Sequence, residues 1–196
     1  MAHYFTNEEN LVSEIKKHNV CIDSINYYFY TDNGVFSKKN IDYGSYLLIK
    51  NVYLKNLGSS LLDLGSGYGP IGIIIKHFNP ELDVEMVDVN SRATELAVLN
   101  CQKNKVNIKV HLCEDILTLN RNFDTVTLNP PIRAGKKVIY DLYAKSRTIL
   151  NDGGSLYIVI QKKQGAKSSI KELETLFKNV VVIDSDGGYL VIEAHN

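Results

Sequence analysis

SSLLDLGSGYGPIGIIIKHF, residues 59–78, decides the fold class. SSLLDLG (59–65) is short, apolar and ends on glycine, as a buried strand does. YGPIGIIIKHF (68–78) reads as a helix, with Pro70 near its first turn, where the missing N–H is no loss. A strand, a glycine-rich turn and a helix in that order open an α/β unit. In open α/β sheets, ligands bind at that edge.

The alternation continues outward. VEMVDV (84–89) is a strand, Asn90 or Ser91 caps a helix over RATELAVLNCQKN (92–104), and IKVHLC (108–113) and FDTVTLN (123–129) are further strands. KVIYDLYAKSRTIL (137–150) places Val138, Leu142, Tyr143 and Ile149 on one helix face. GSLYIVIQ (154–161) is a strand and SSIKELETLF (168–177) a helix. NVVVID (179–184), the turn Ser185-Asp186-Gly187-Gly188 and YLVIEA (189–194) form a hairpin. The expected class is α/β: a mostly parallel, Rossmann-like sheet closing on an antiparallel C-terminal hairpin, with helices on both faces. Upstream, NYYFYTDNGVF (26–36) reads as a hairpin about Asp32-Asn33-Gly34, followed by a helix from near Asp42. Residues 1–196 then make one domain, with 1–55 an N-terminal extension and 56–196 the α/β core.

Composition narrows the functional classes. Lys+Arg and Asp+Glu are both 22, so no global basic field drives non-specific nucleic-acid binding. No apolar run approaches a membrane span, and MAHYFTNEENL lacks the basic-then-apolar order of a secretory signal. Cys21, Cys101 and Cys113 show no CxxC spacing, and the histidines form no HExxH. A cytoplasmic protein with free thiols and no metal site is expected.

The loop accommodates two glycine templates. The nicotinamide form G-x-G-x-x-G falls on Gly67, Gly69 and Gly72, late in register because Gly65 already ends the strand. D-x-G-x-G-x-G on Asp63, Gly65, Gly67 and Gly69 fits better. Asp63 can meet an ammonium group. Asp88, ending the next strand, can accept both hydroxyls of a ribose. Asp115 can accept from an adenine amino group, with Ile116 against the ring. An Asp after a strand is also a common cap or turn former. Three in succession fit S-adenosylmethionine.

LNPPIRAGKK (128–137) follows the fourth strand of the alternation. The Asn129 side-chain oxygen is an acceptor, and Pro130 offers a carbonyl with φ fixed and no N–H. Two fixed acceptors can hold the hydrogens of an exocyclic NH₂ group. DLGSGYG, VDVN and NPPI resemble motifs of class I S-adenosylmethionine-dependent methyltransferases acting on nitrogen. TDNGVFSKKNIDYGSYLL (31–48), NPPIRAGK (129–136) and QKKQGAKS (161–168) are similar to the small-domain family of ribosomal RNA guanine-N2 methyltransferases. The likeness runs from Phe29 to the C-terminus.

The resemblance implies a seven-stranded sheet with one reversed strand. It implies cofactor contacts at Asp63, Gly65, Gly67, Gly69, Asp88 and Asp115, amine positioning by Asn129 and Pro130, and closure by Phe36 and Ser37. Pro131, Ile132, Arg133 and Lys136 fall on the substrate side, where Arg133, Lys136, Lys137, Lys162, Lys163 and Lys167 can meet phosphate. Ile132 replaces the aromatic that follows NPP in adenine enzymes, which argues against that base. Two-domain members carry an extra N-terminal half, where about 55 residues precede the first core strand here. The expected product is N2-methylguanosine in ribosomal RNA or a ribosomal subunit. Methylation of a protein glutamine or of adenine N6, and a silent cofactor- or RNA-binding module, are the alternatives.

Overall fold

The computed structural model describes residues 12–35 and 41–196. Strands β1 (Lys16–Ile22) and β2 (Ile25–Thr31) form an antiparallel hairpin, followed by helix α1 (Tyr43–Val52). Next come β3 (Ser60–Leu64), α2 (Pro70–Phe78), β4 (Asp83–Asp88), α3 (Ser91–Lys103) and β5 (Lys109–Leu112). The chain continues through β6 (Phe123–Leu128), α4 (Lys136–Ile149), β7 (Leu150–Gln161), α5 (Ala166–Leu176), β8 (Asn179–Asp186) and β9 (Tyr189–His195).

The main sheet runs β5-β4-β3-β6-β7-β9-β8. Strands β3 to β7 pair in parallel, and β9 is antiparallel to both β7 and β8. The hairpin expected at the C-terminus is present, and its last strand inserts between β7 and β8. Its turn is only two residues, Gly187 and Gly188, with φ of +53° and +82°. Both angles suit glycine and the tight turn that two twisted strands require.

Apolar side chains separate to the two sheet faces. Leu61, Ile73, Leu96 and Leu48 belong to a core shared by α1, α2, α3 and the first hairpin. Leu62, Val126, Tyr143 and Leu173 belong to a second core under α4 and α5. All five residues of β3 are buried, as a central parallel strand covered on both faces must be. After β3 the chain moves outward to β4 and β5, then returns to place β6 on the other side. Loops following β3 and β6 therefore diverge and leave a crevice at the C-terminal strand ends.

The upstream hairpin is not where the sequence suggested. It turns at Asp23-Ser24, both with positive φ (+46° and +66°), and not at Asp32-Asn33-Gly34. KKHNVCI is hard to recognise because it is an outer strand with only Ile22 buried. Asp32 is an anchor and not a hairpin tip. Its buried carboxylate accepts from Ser13 Oγ (2.7 Å) and the Asn33 N–H (2.6 Å), and it faces Arg92 at 3.7 Å.

The hairpin reaches the core through side-chain amides. Asn100, wholly buried on α3, accepts from the Tyr30 N–H at 2.7 Å and donates to the Tyr30 carbonyl at 3.0 Å and the Tyr68 carbonyl at 2.9 Å. One turn on, Asn104 accepts from the Tyr28 N–H (3.0 Å) and donates to its carbonyl (2.8 Å). Two amides at i and i+4 thus satisfy an edge of β2 that a further strand would otherwise cover. Asn100→Ala leaves buried backbone groups without partners and is expected to cost about 2–3 kcal/mol in urea unfolding, against under about 1 kcal/mol for the less buried Asn104→Ala. Equal losses would contradict this ranking.

Candidate active site

A cleft of about 290 Å³ opens at the crevice between the loops after β3 and β6. Gly65, Ser66, Gly67 and Tyr68 form one wall, Asn129, Pro130 and Pro131 face it, and Asp88 and Ile116 lie to the β4 and β5 side. Val35 comes from the segment after the hairpin, and Asp42 and Ser45 from the start of α1. Phe36 and Ser37, expected to close this side, lie outside the described residues.

The loop glycines each take a left-handed φ: +66° at Gly65, +57° at Gly67 and +92° at Gly69. Among the described residues, a Cβ on Gly67 would meet nothing within 4 Å, and the backbone conformation itself calls for glycine there. Gly65 and Gly67 line the cleft, whereas Gly69 sits behind it as the N-cap of α2. Among the described residues, Ser66 Oγ is buried without a partner, and it belongs to the cleft wall. An unpaired hydroxyl there suits a polar ligand lying over the loop.

Asp88 lines the cleft. It accepts from the Gly67 N–H at 2.8 Å and the Asn90 N–H at 2.9 Å. Burial raises its carboxyl above the ordinary range, and those N–H donors oppose the rise. The Val89 N–H adds to that opposition, and a carboxylate with about four lone-pair sites still keeps acceptor capacity.

Asp63 does not line the cleft. It is completely buried beneath the loop, with Oδ2 accepting from the Gly72 N–H at 2.9 Å and Oδ1 from Thr127 Oγ at 3.0 Å. The ammonium contact expected of it is replaced by an internal role, because both oxygens are turned to the protein. Burial pushes its carboxyl up to about 7. Asp115 is also outside the cleft lining. It caps the following turn through the Leu117 N–H (3.2 Å) and pairs with Lys145 Nζ (3.2 Å), two contacts that hold its carboxyl below the ordinary range. Its neighbours Glu114 and Ile116 line the cleft, as does Lys145.

Of the expected substrate residues, Pro131 lines the cleft. Ile132, half-buried, packs beside the core under α4 and α5 and is not part of the cleft lining. Arg133 and Lys136 are exposed and outside the cleft lining, as are Lys162, Lys163 and Lys167.

Sequence reasoning missed the partners of Asn129. Asn129 Nδ2 lies 2.9 Å from Ser45 Oγ and 3.2 and 3.4 Å from the two oxygens of Asp42. Asp42 showed only as a helix start, and it does cap α1, accepting from the Ser45 N–H at 3.1 Å. Nothing local links it to a residue 87 positions away. Asp141 and Lys145, 3.0 Å apart on α4, also reach the cleft without any sequence signal beyond their i, i+4 spacing.

A family model described as the methyltransferase small domain matches residues 26–193. The chain belongs to this family. It is 38% identical over 195 residues to YbxB of Bacillus subtilis strain 168, covering 98% of this chain and 97% of that one. It is 34% identical over 165 residues to ribosomal RNA small subunit methyltransferase C of Aeromonas hydrophila, covering 81% of this chain and 46% of that one. Among solved structures, the T. thermophilus 16S rRNA N2 G1207 methyltransferase (RsmC), in complex with AdoMet and guanosine, superposes with a TM-score of 0.83 at 21% identity. That match covers 93% of this chain and 50% of the other. The chain thus spans about half the length of the methyltransferase C relatives it matches. Among the described residues, no helix is long and apolar enough to cross a membrane.

The buried carboxyl gives a pH signature. Unfolded, Asp63 releases its proton near 3.8; folded, it holds it to about 7. The folded chain binds the extra proton between those values, so this group's contribution to stability is full at low pH and is lost as pH rises through about 4 to 7. Asp63→Asn should remove that loss. The stability of the variant relative to wild type, from urea curves, should rise across the window and level off above it. A difference independent of pH would show that Asp63 is charged throughout.

Proposed function

We propose that this chain is an S-adenosylmethionine-dependent N-methyltransferase that forms N2-methylguanosine in ribosomal RNA, acting as a single domain in the cytoplasm. The carrying observation is the state of Asn129. Its NH₂ group is already bound to Asp42 and Ser45, while among the described residues its Oδ1 makes no hydrogen bond. A cleft residue whose donors are spent presents an acceptor. Pro130 adds a carbonyl without a competing N–H.

The cleft suits S-adenosylmethionine: a glycine cradle, the orphaned Ser66 hydroxyl, the Asp88 carboxylate and an apolar floor at Ile116. Gly65 to Gly67, Asp88 and Ile116 would hold it, and once bound it supplies an electrophilic methyl group. The protein's own task is to bind and orient. Asn129 Oδ1 and the Pro130 carbonyl accept the two hydrogens of the target amine. That aims its lone pair and withdraws it from conjugation with the base. Positioning and preorganised dipoles carry the step without a strong base. The amine becomes acidic only on gaining the methyl, so its proton leaves last. RNA as substrate is supported by the names of the relatives, and guanine by the likeness around GVFS and NPPIRAGK. Exposed Arg133, Lys136 and Lys137 would meet phosphate, and the target nucleotide must be unstacked to enter the cleft.

Asp88→Ala should weaken S-adenosylmethionine binding by about 1–3 kcal/mol or more in calorimetry. Unchanged affinity in a folded variant would remove Asp88 from the cofactor site.

The substrate is tested with labelled cofactor, ribosomal subunits and naked ribosomal RNA from cells lacking the protein, followed by nucleoside mass spectrometry. N2-methylguanosine should form. Asn129→Ala should keep cofactor affinity and lose turnover by roughly 10²-fold or more. Label on adenine N6, or on protein alone, would overturn the guanine reading.

A further inference from the structure

A primary amide has two faces of opposite chemistry. Turned one way, Asn129 offers the cleft a carbonyl; turned the other, an NH₂ group. The two orientations have almost the same shape, so packing alone does not choose between them. Only the second would repel the hydrogens of an acceptor amine.

We propose that Asp42 and Ser45 are positioning residues that lock the Asn129 amide with its carbonyl toward the cleft. The inference rests on the N-methyltransferase reading and deepens it. An ionised carboxylate accepts and cannot donate. With Asp42 Oδ1 and Oδ2 at 3.2 and 3.4 Å from Nδ2, a flipped amide would set its oxygen against two carboxylate oxygens. That orientation loses its hydrogen bonds and gains repulsion. Ser45 Oγ, 2.9 Å from Nδ2, takes the other hydrogen. Both partners sit on the first turn of α1, where Asp42 is itself fixed by the Ser45 N–H at 3.1 Å. The Ser45 side chain is buried. A rigid helix start therefore holds the orienting pair.

The contact also polarises the amide. A negative charge against the NH₂ group shifts electron density toward Oδ1 and strengthens it as an acceptor. Asp42 lines the cleft as well.

The test uses Asp42→Asn in the full chain. Asparagine is as good an N-cap as aspartate, so α1 and the melting temperature should be retained. Its side chain can turn either group to Asn129, so it no longer forbids the flip. Turnover on ribosomal subunits should fall by roughly 10- to 100-fold, the scale of losing an outer partner that orients a functional group, with KM and Kd for S-adenosylmethionine kept to within about twofold. In an isotope-labelled amide spectrum, the Asn129 NH₂ pair, identified by its loss in Asn129→Ala, should move and exchange faster with water. Ser45→Ala should do the same more weakly. If Asp42→Asn does not fold, Asp42→Ser keeps a capping hydroxyl and serves in its place. Wild-type turnover in the folded variant overturns the proposal. So does reduced turnover with an unmoved NH₂ pair, which would mark a structural role only. If wild-type protein methylates no ribosomal substrate, the guanine reading fails, and the spectrum alone decides the role of Asp42.

Discussion

One carboxylate, Asp63, joins the parts on which the cleft depends. It receives the Gly72 N–H from α2 and the Thr127 hydroxyl from β6 while itself belonging to β3. Gly72 is the third residue of α2, whose first N–H groups lack intrahelical partners. Gly69 at the N-cap position brings no side chain to satisfy them. Asp63 does so from the strand, and the positive end of the helix favours whatever charge it carries. The approach is close: a Cβ on Gly72 would stand 2.8 Å from Met86 Cγ and Sδ. The glycine loop is thereby closed between a strand and a helix that one side chain pins together. Through Thr127, the strand leading to Asn129 is fixed to the same point.

The other acidic groups follow a related logic. Asp88 holds the N–H groups of Gly67 and Asn90, Asp115 caps its own turn, and Asp42 caps α1. Each carboxylate organises local backbone before any ligand arrives. Asp88 and Asp42 also line the cleft, whereas Asp63 and Asp115 do not. A cap and a ligand contact therefore read alike in sequence, and only the direction of the remaining lone pairs separates them.

What was legible follows from how local each signal is. The alternation from Ser59 onward, Asn90 as a cap, Asp42 as a helix start and the glycine turn before β9 are written in neighbouring residues, and the structure contains them all. Strand β1 was missed because its polar, mostly exposed residues carry little alternation. The Asp32-Asn33-Gly34 stretch has turn chemistry, yet it marks an anchor whose partners, Ser13 and Arg92, are remote in sequence. Ile132 gave no sign of leaning, half-buried, on the core beside the cleft. The pairing of Asn129 with Asp42 and Ser45 depends on α1 being laid against the end of β6, a tertiary fact with no local trace. The family resemblance located the motif, and the geometry supplied what surrounds it.

The amide of Asn100 has a dynamic consequence. It grips the hairpin at Tyr30 and the glycine loop at Tyr68 with a single NH₂ group and its carbonyl. A local opening of the hairpin strips the loop of one restraint, and a ligand that stiffens the loop raises the free energy of that opening. Asn100 thereby couples hairpin and cleft, beside the Phe29 ring that packs on Tyr68 at 5.7 Å. Protection of the Tyr30 backbone N–H from solvent exchange is therefore a remote gauge of occupancy in the cleft.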